Sequence, residues 1–281
     1  MPQRTIVITG ASDGIGASAA RSLATAGERV VVVGRSAEKT ERIAAEIGAD
    51  FFVSDFAELD QVRGLAGELQ ERYPRIDVLA NNAGGIMGKR ELTVDGHEKT
   101  FQVNHLAPFL LTTELMDVLT ASNATIINTA SAANGFGKLD LDDLDSATKH
   151  STNRAYGSAK LANILFTAEL NHRYASHGIT TAAFHPGVVA TNFAAESTSP
   201  MRHAYKTFLN RFLLSPEQGA DTLVWLATTK PGEDWVPGSY YAKRALAKAN
   251  KQAYDAELAR ELWDRSEALV ALDLDKLGHR G

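Results

Sequence analysis

Tyr156 and Lys160 are four residues apart in a segment whose pattern predicts a helix, so their side chains share one face of it. A free tyrosine hydroxyl has a pKa near ~10, and a lysine cation beside it favours the phenolate. Lowering that pKa by roughly three units requires about 4 kcal/mol of differential stabilisation. The pair is therefore suited to proton transfer near neutral pH. The alternative is that both residues only decorate an amphipathic helix.

A glycine-rich segment, Thr9–Gly16, joins the first predicted strand to a helix of small residues. Glycine at such a turn lets the backbone approach a pyrophosphate closely and directs the helix N-terminus at its charge. The segment therefore predicts a dinucleotide site, whereas the alternative is a tight turn that needs positive φ. The candidate cofactor residues in this segment are Gly10, Ser12, Asp13, Gly14, Ile15 and Gly16.

The second predicted strand ends at Arg35, where a carboxylate would accept the ribose hydroxyls of NAD. A guanidinium presents a planar fork that matches a ribose 2′-phosphate. Arg35 therefore favours NADP(H), and Asp13 in the glycine segment supplies no second cation. The alternative is a solvated arginine at a helix start.

Polar and small residues also follow the third and fourth predicted strands. Asp55, beside Phe56, is a candidate acceptor for the adenine amino group, or else an N-cap of the following helix. The run Asn81–Gly85 would let adenosine and ribose lie against the backbone, unless it is a plain loop. Because open α/β sheets bind ligands at the carboxyl ends of their strands, the candidate contacts there are Asn82, Ala83 and Gly84.

Short β-branched runs alternate with longer helical patterns, which is typical of a doubly wound parallel sheet with helices on both faces. Pro108 falls inside a helical pattern, so that helix should kink or restart there. Ser215–Gln218 reads as an N-cap, a proline at the first helical position and a capping-box glutamine. Strands are predicted near residues 5–9, 30–33, 50–53, 76–80, 125–129, 180–184 and 238–242.

The composition is that of one globular domain spanning residues 1–281, with 44% hydrophobic residues and a net charge of −5. No basic stripe points to a nucleic acid. The absence of cysteine excludes disulfides, thiolate catalysis and cysteine-based metal sites. The acidic run Asp140–Asp145 lacks the glycine and distal glutamate of an EF-hand, and the eight histidines lack metal-site spacing, so we expect no metal. The first apolar run, residues 5–9, is too short for a membrane span, so we expect a cytoplasmic protein without a membrane anchor. A homo-oligomer is compatible with these features.

Four segments together resemble the short-chain dehydrogenase/reductase family: Thr9–Gly16, Asn81–Gly84, Tyr156–Lys160 and His185–Gly187. Residues 155–167 are similar to its retinol dehydrogenase-like branch. The resemblance implies a Rossmann-type sheet of about seven strands in a single domain. It also implies an NADP(H)-dependent oxidoreductase that transfers a hydride between nicotinamide and a carbonyl or alcohol.

The same resemblance implies a catalytic tetrad of Asn104, Ser131, Tyr156 and Lys160, with Tyr156 as general acid/base. Ser131 would hydrogen-bond the substrate oxygen, and Asn104, near the Pro108 interruption, would hold a proton-relay water. Lys160 would also bind the nicotinamide ribose. A catalytically inactive, NADP-sensing protein of the same fold is the alternative, and it predicts a broken tetrad. The family pattern places the nicotinamide carboxamide near Pro186, Gly187, Val188 and Thr191, and the alternative for Thr191 is an N-cap of the following segment.

The segment of about residues 190–215 is expected to be the variable substrate loop. Its apolar residues recur at helical spacing and either pack on the core or a partner subunit, or form a lid with Phe193. A lid would favour bulky apolar substrates. The recurring apolar residues are Met201, Tyr205, Phe208, Leu209, Phe212 and Leu213.

Overall fold

A computed structural model describes residues 3–189 and 214–277 of the chain. Within these ranges the strands form one sheet in the order β3-β2-β1-β4-β5-β6-β7-β8, parallel except for the last pair. The predicted α/β sheet of about seven strands is confirmed, with the two-residue β8 as an addition. The strands are β1 (Thr5–Thr9), β2 (Arg29–Gly34), β3 (Asp50–Val53), β4 (Val78–Asn81), β5 (Thr125–Thr129), β6 (Thr180–Phe184), β7 (Ser239–Ala242) and β8 (Ala245–Leu246).

Helices cover both faces of this sheet, as the alternating pattern predicts. None of the helices in residues 3–189 and 214–277 combines the length and apolarity needed to cross a bilayer. The helices are α1 (Gly14–Thr25), α2 (Ala37–Ile47), α3 (Leu59–Arg72), α4 (Lys99–Phe101), α5 (Ala107–Glu114), α6 (Met116–Ser122), α7 (Thr152–Tyr174), α8 (Pro216–Thr228) and α9 (Ala256–Leu277).

The core lies in two layers, one on each face of the sheet. In β1, Val7 packs toward the layer built with α3, α5, α7 and α9, whereas Ile6 and Ile8 pack toward α1, α2 and α8. Alternate side chains of a strand point to opposite faces, so both layers need apolar residues and the strand reads as a continuous apolar run. Burial of each such side chain is worth about 1.5–3 kcal/mol.

The capping box predicted at Ser215 is present at the start of α8. The Ser215 hydroxyl accepts from the Gln218 N–H, and the Gln218 side chain accepts from the Ser215 N–H at 3.0 Å. Pro216 occupies the first helical position, where its missing N–H costs nothing.

The interruption predicted near Pro108 takes the form of a π-helix, Gln102–Leu106, between α4 and α5. Pro108 lies in the first turn of α5 and has no N–H to donate to the carbonyl four residues earlier. Isolated π turns of this kind occur often at functional sites. Here the turn carries Asn104, a member of the expected tetrad.

Candidate functional site

The glycine segment forms the turn between β1 and α1 and packs against the chain that follows β4. Gly10 has φ +65°, and a Cβ built on it would lie 2.8 Å from Ala83 Cα. Gly16 would bring a Cβ into the Gly10 carbonyl. The turn at Gly10 therefore does use positive φ, and close packing against another backbone excludes a side chain there as well.

The side chains of the same segment have distinct surroundings. Ser12 lies against the end of β2 beside Gly34, and Ile15 points toward Gly219 in α8. Asp13 caps α1, because its carboxylate accepts from the Gly14 N–H at 2.8 Å. The side chains of Asp13 and Ile15 therefore stabilise the start of α1, and the groups that these two residues offer to a ligand are their backbone atoms.

Asn82 ties the β4 end to the glycine segment. Its amide donates to the Thr9 carbonyl at 2.9 Å and to the Gly10 carbonyl at 3.3 Å. The Thr9 hydroxyl in turn accepts from the N–H groups of Asn82 and Ala83, both at 3.0 Å. Since each group supports the backbone of the neighbouring strand end, the turn holds its shape without a ligand.

Arg35 is exposed directly after β2, beside the cap of α2 formed by Ser36. Lys39, in the first turn of α2, forms an ion pair with Asp13 at 3.3 Å. Lys39 was not among the residues expected from the sequence, although its place in the first turn of the helix that follows Arg35 was a usable signal. The structure thus brings a second cation to the glycine segment.

Asp55 and Phe56 follow β3. The Asp55 carboxylate accepts from the Ala57 N–H at 3.0 Å, and α3 begins later, at Leu59, with Glu58 in the N-cap position. The N-cap interpretation of Asp55 is therefore wrong. Phe56 is buried in the core, so only its backbone is available to a ligand.

Tyr156 and Lys160 are one turn apart on α7, as predicted, and both are buried. Lys160 Nζ lies 5.7 Å from the centre of the Tyr156 ring and donates to the Thr129 carbonyl at 2.9 Å. The Ser131 and Tyr156 hydroxyls are hydrogen-bonded to each other. Ser131 itself follows β5 and begins a short 3-10 helix, Ala132–Phe136. Three members of the expected tetrad therefore meet at the carboxyl end of the sheet.

The electrostatics of this pair differ from the expectation. Burial raises the pKa of Tyr156 above its usual range, an effect that the Ser131 hydrogen bond only partly offsets. Burial also lowers the pKa of Lys160 to about 7, so the lysine carries only part of its charge at neutral pH. In the protein alone the pKa of Tyr156 is not lowered, because desolvation of the hydroxyl dominates. In the protein alone, the Tyr156 hydroxyl is therefore protonated at neutral pH.

Asn104 is buried in the π-helix and is hydrogen-bonded to backbone on two sides. Its amide donates to the carbonyls of Gly85 at 2.9 Å and Thr100 at 2.8 Å, and its oxygen accepts from the Gly85 N–H at 3.1 Å. Gly84 has no room for a side chain, since a Cβ would lie 2.5 Å from Asn104 Oδ1 and 3.0 Å from Lys160 Nζ. Asn104 and Lys160 therefore border the same backbone.

The chain after β6 closes the other side of the site. The Gly187 N–H donates to His185 Nδ1 at 3.1 Å, and the His185 ring lies 5.8 Å from the Tyr240 ring. Pro186, between His185 and Gly187 in the chain, is partly exposed. Val188 is exposed, and its carbonyl accepts from the Leu214 N–H at 2.9 Å. Thr191, Phe193 and the apolar stripe 201–213 lie outside the described residues.

The residues at this edge of the sheet fit a dinucleotide. A lysine ammonium has three N–H donors, and the described residues offer Lys160 Nζ one hydrogen-bond acceptor. Such a buried donor suits the hydroxyls of a ribose. The glycine turn at the start of α1 suits phosphates, because helix N-termini bind anions.

Comparison with known proteins agrees with this geometry. A short chain dehydrogenase family model matches residues 4–202. A Streptomyces sp. (strain C5) protein, provisionally described as a daunorubicin C-13 ketoreductase, is 43% identical over 277 residues, covering 96% of this chain and 93% of its own. Human retinol dehydrogenase 13 is 36% identical over 286 residues, covering 97% and 86%.

Solved structures also superimpose on the chain. An uncharacterized protein from Mycobacterium paratuberculosis has a TM-score of 0.77 and 33% identity, covering 96% of this chain and 94% of its own. The Pseudomonas aeruginosa RhlG structure, an active-site complex with NADP, has a TM-score of 0.67 and 25% identity, covering 84% and 93%.

The chain belongs to the short-chain dehydrogenase/reductase family of oxidoreductases, which act on alcohols or carbonyls with a nicotinamide cofactor. Within it, the chain falls in the retinol dehydrogenase-like branch.

Proposed function

We propose that this protein transfers a hydride between NADP(H) and a carbonyl or alcohol, with Tyr156 as the general acid/base. The meeting of Tyr156, Ser131 and Lys160 at the carboxyl end of the sheet carries the proposal. A hydroxyl pair beside a buried ammonium is the arrangement that proton transfer to a substrate oxygen requires.

When bound, NADPH supplies the hydride that reduces the carbonyl carbon. Tyr156 gives its proton to the carbonyl oxygen, and the Ser131 hydroxyl hydrogen-bonds the same oxygen. Lys160 binds the nicotinamide ribose and favours the phenolate that forms. Asn104 holds the Gly85 backbone and the π-helix beside Lys160. Because burial raises the pKa of Tyr156, the proton is in place for reduction before the substrate binds.

Arg35 selects the 2′-phosphate of NADP(H), with Lys39 as a second cation near the same ribose. The glycine turn binds the pyrophosphate, Asp55 accepts from the adenine amino group, and Asn82, Ala83 and Gly84 border the adenosine. Gly187 and Val188, with Thr191, hold the carboxamide. The NADP complex of the RhlG structure supports this cofactor.

The cofactor assignment is tested by the affinities of the wild-type protein for NADPH and NADH. We expect tighter binding of NADPH, and Arg35→Ala should cost roughly 1.5–3 kcal/mol of NADPH binding by removing a charge-assisted contact. Arg42→Ala, which removes another exposed arginine from α2, is the matched control and should leave the affinity unchanged. Equal affinities of the wild-type protein for the two cofactors would contradict NADP(H) selectivity.

We propose an apolar carbonyl substrate. The descriptions of the two relatives name daunorubicin and retinol, both of which have extended carbon frameworks. NADPH oxidation should be screened against aldehydes, ketones and quinones, with retinal and an anthracycline ketone on the panel and sugars as the polar comparison. Preference for sugars would contradict the apolar class. NADPH binding without turnover of any compound would support a sensor of the same fold.

A further inference from the structure

A row of buried hydrogen-bonding groups connects Lys160 to the C-terminal helix α9. Lys160 Nζ and Asn163 Nδ2 both donate to the Thr129 carbonyl, at 2.9 and 3.2 Å. Asn163 Oδ1 lies 3.3 Å from His105 Nδ1, and His105 Nε2 lies 2.9 Å from Ser266 Oγ. The row therefore runs from α7 and the end of β5 through the π-helix to α9.

The donors and acceptors of this row are mutually consistent. Asn163 donates through its nitrogen, so its oxygen must accept from His105 Nδ1, which therefore carries the proton. His105 Nε2 then accepts the single proton of the Ser266 hydroxyl, for which the Leu262 carbonyl, 2.7 Å from Ser266 Oγ, is the competing acceptor. Burial lowers the pKa of His105 to about 4, so the ring is neutral at physiological pH and has one donor and one acceptor.

Burial makes this arrangement hard to exchange for another. His105 and Ser266 are fully buried, and Asn163 is 4% exposed. The His105 ring packs against Phe101 and Phe166, at 5.1 and 6.0 Å between ring centres. Turning any member of the row would leave a polar group unpaired among aromatic rings, which is costly.

We infer that His105, Asn163 and Ser266 are positioning residues that hold the Thr129 carbonyl, and through it the Lys160 ammonium, for the cofactor ribose. A carbonyl oxygen has two lone pairs, so Asn163 on one of them directs Lys160 to the other. Helix α9 is thereby part of the site although it contributes no group to the ligand. The inference rests on the proposed function, in which Lys160 binds that ribose.

Ser266→Ala tests this role, with Ser122→Ala as the matched control. Both serines are buried on helices, and the hydroxyl of each lies within hydrogen-bond distance of the carbonyl four residues earlier. Ser122 also accepts from the Ile76 N–H, whereas Ser266 contacts His105. We expect Ser266→Ala to lower kcat about five- to tenfold and to weaken NADPH binding by about threefold or more, because a small displacement of a positioned group is costly. Ser122→Ala should leave both unchanged while losing a similar amount of thermal stability.

NADPH affinity is measured by quenching of tryptophan fluorescence, independently of turnover. Equal kcat and equal NADPH affinity in the two serine variants would overturn the inference. If the wild-type protein binds NADPH but reduces no carbonyl, the proposed function is wrong. The difference in NADPH affinity between the two serine variants would still decide the positioning role. If Ser266→Ala does not fold, His105→Phe, which keeps a ring in the aromatic cluster, replaces it under the same criteria.

Discussion

Tyr73 and Tyr156 are two buried tyrosines whose hydroxyls have different partners. Burial raises the pKa of both. The Tyr73 hydroxyl donates to the Asp50 carboxylate at 2.7 Å, and Arg29 and Arg72 form ion pairs with the same carboxylate. The Tyr156 hydroxyl is hydrogen-bonded to that of Ser131, beside a lysine.

The comparison shows that a raised pKa does not by itself mark a reactive group. The Tyr73 hydroxyl donates to the Asp50 carboxylate, which ion pairs with Arg29 and Arg72 hold in position, so the Tyr73 proton is already committed to a hydrogen bond within the protein. Tyr156 has a neutral partner, the Ser131 hydroxyl, and lies beside Lys160, whose pKa burial lowers to about 7. In the proposed function this neutral partner leaves the Tyr156 proton available to a substrate oxygen, and that is the difference proposed between the two tyrosines.

The largest expected effect is on turnover. Tyr156→Phe removes the transferable proton and should lower kcat by at least about two orders of magnitude, with NADPH affinity nearly unchanged. Tyr73→Phe makes the same chemical change at a buried tyrosine and should leave kcat within about twofold. Steady-state kinetics with the best carbonyl of the panel compare the two. Turnover of Tyr156→Phe within tenfold of wild type would remove the distinction between the tyrosines.

A second expected effect is a gain of stability when the buried lysine is replaced. Lys160→Met should raise the free energy of unfolding at pH 7 by roughly 1–3 kcal/mol, after allowing for the lost hydrogen bond to Thr129, while turnover is lost. Below pH 7 the lysine is charged in both the folded and the unfolded state, so the gain is largest there. Above pH 7 the folded state gives up the proton first.

The gain from Lys160→Met should therefore shrink as the pH rises from 7 toward 10.5, and denaturant unfolding across this range measures it. A constant difference, or a loss of stability at pH 6, would show that the folded protein tolerates the ammonium without cost.

The smallest expected effect concerns the structural tyrosine. Tyr73→Phe should lower the free energy of unfolding by about 1–2 kcal/mol at pH 7, because a hydrogen bond to a charged carboxylate is lost. The Tyr73 hydrogen bond is one of the interactions that keep the pKa of Asp50 below its usual value. Its contribution is present above the unfolded pKa of about 3.9 and is lost as the pH falls through the folded one. The difference from wild type should thus narrow below pH 4 in urea titrations, and a pH-independent difference would contradict this.

Much of the fold could be predicted from the sequence because its signals are local. Seven strands, the Ser215 cap and the interruption near Pro108 follow from patterns a few residues long. The two-residue β8 carries too short a pattern to recognise, and a proline does not reveal which kind of helical break it causes.

The same distinction between local and long-range signals applies to the candidate site. Tyr156, Lys160 and the glycine turn are recognisable because their spacing on one element is itself the signal. The raised pKa of Tyr156 in the protein alone could not be read from the sequence, because burial depends on how distant segments pack. Ser266 was missed for a related reason, since 161 residues separate it from His105 in the sequence.

Because of the π-helix Gln102–Leu106, the geometry of this segment depends more on its number of residues than on most of its side chains. It accommodates one residue more than an α-helix would over the same turn, which shifts the phase of the chain by about 100°. That phase sets which parts of the molecule the neighbours Asn104 and His105 face, the Gly85 backbone and the α7–α9 interface. A one-residue deletion here would rotate one neighbour away from its partners, whereas many substitutions would leave the phase intact. Divergence along this stretch is therefore constrained first in its number of residues and only then in their identity.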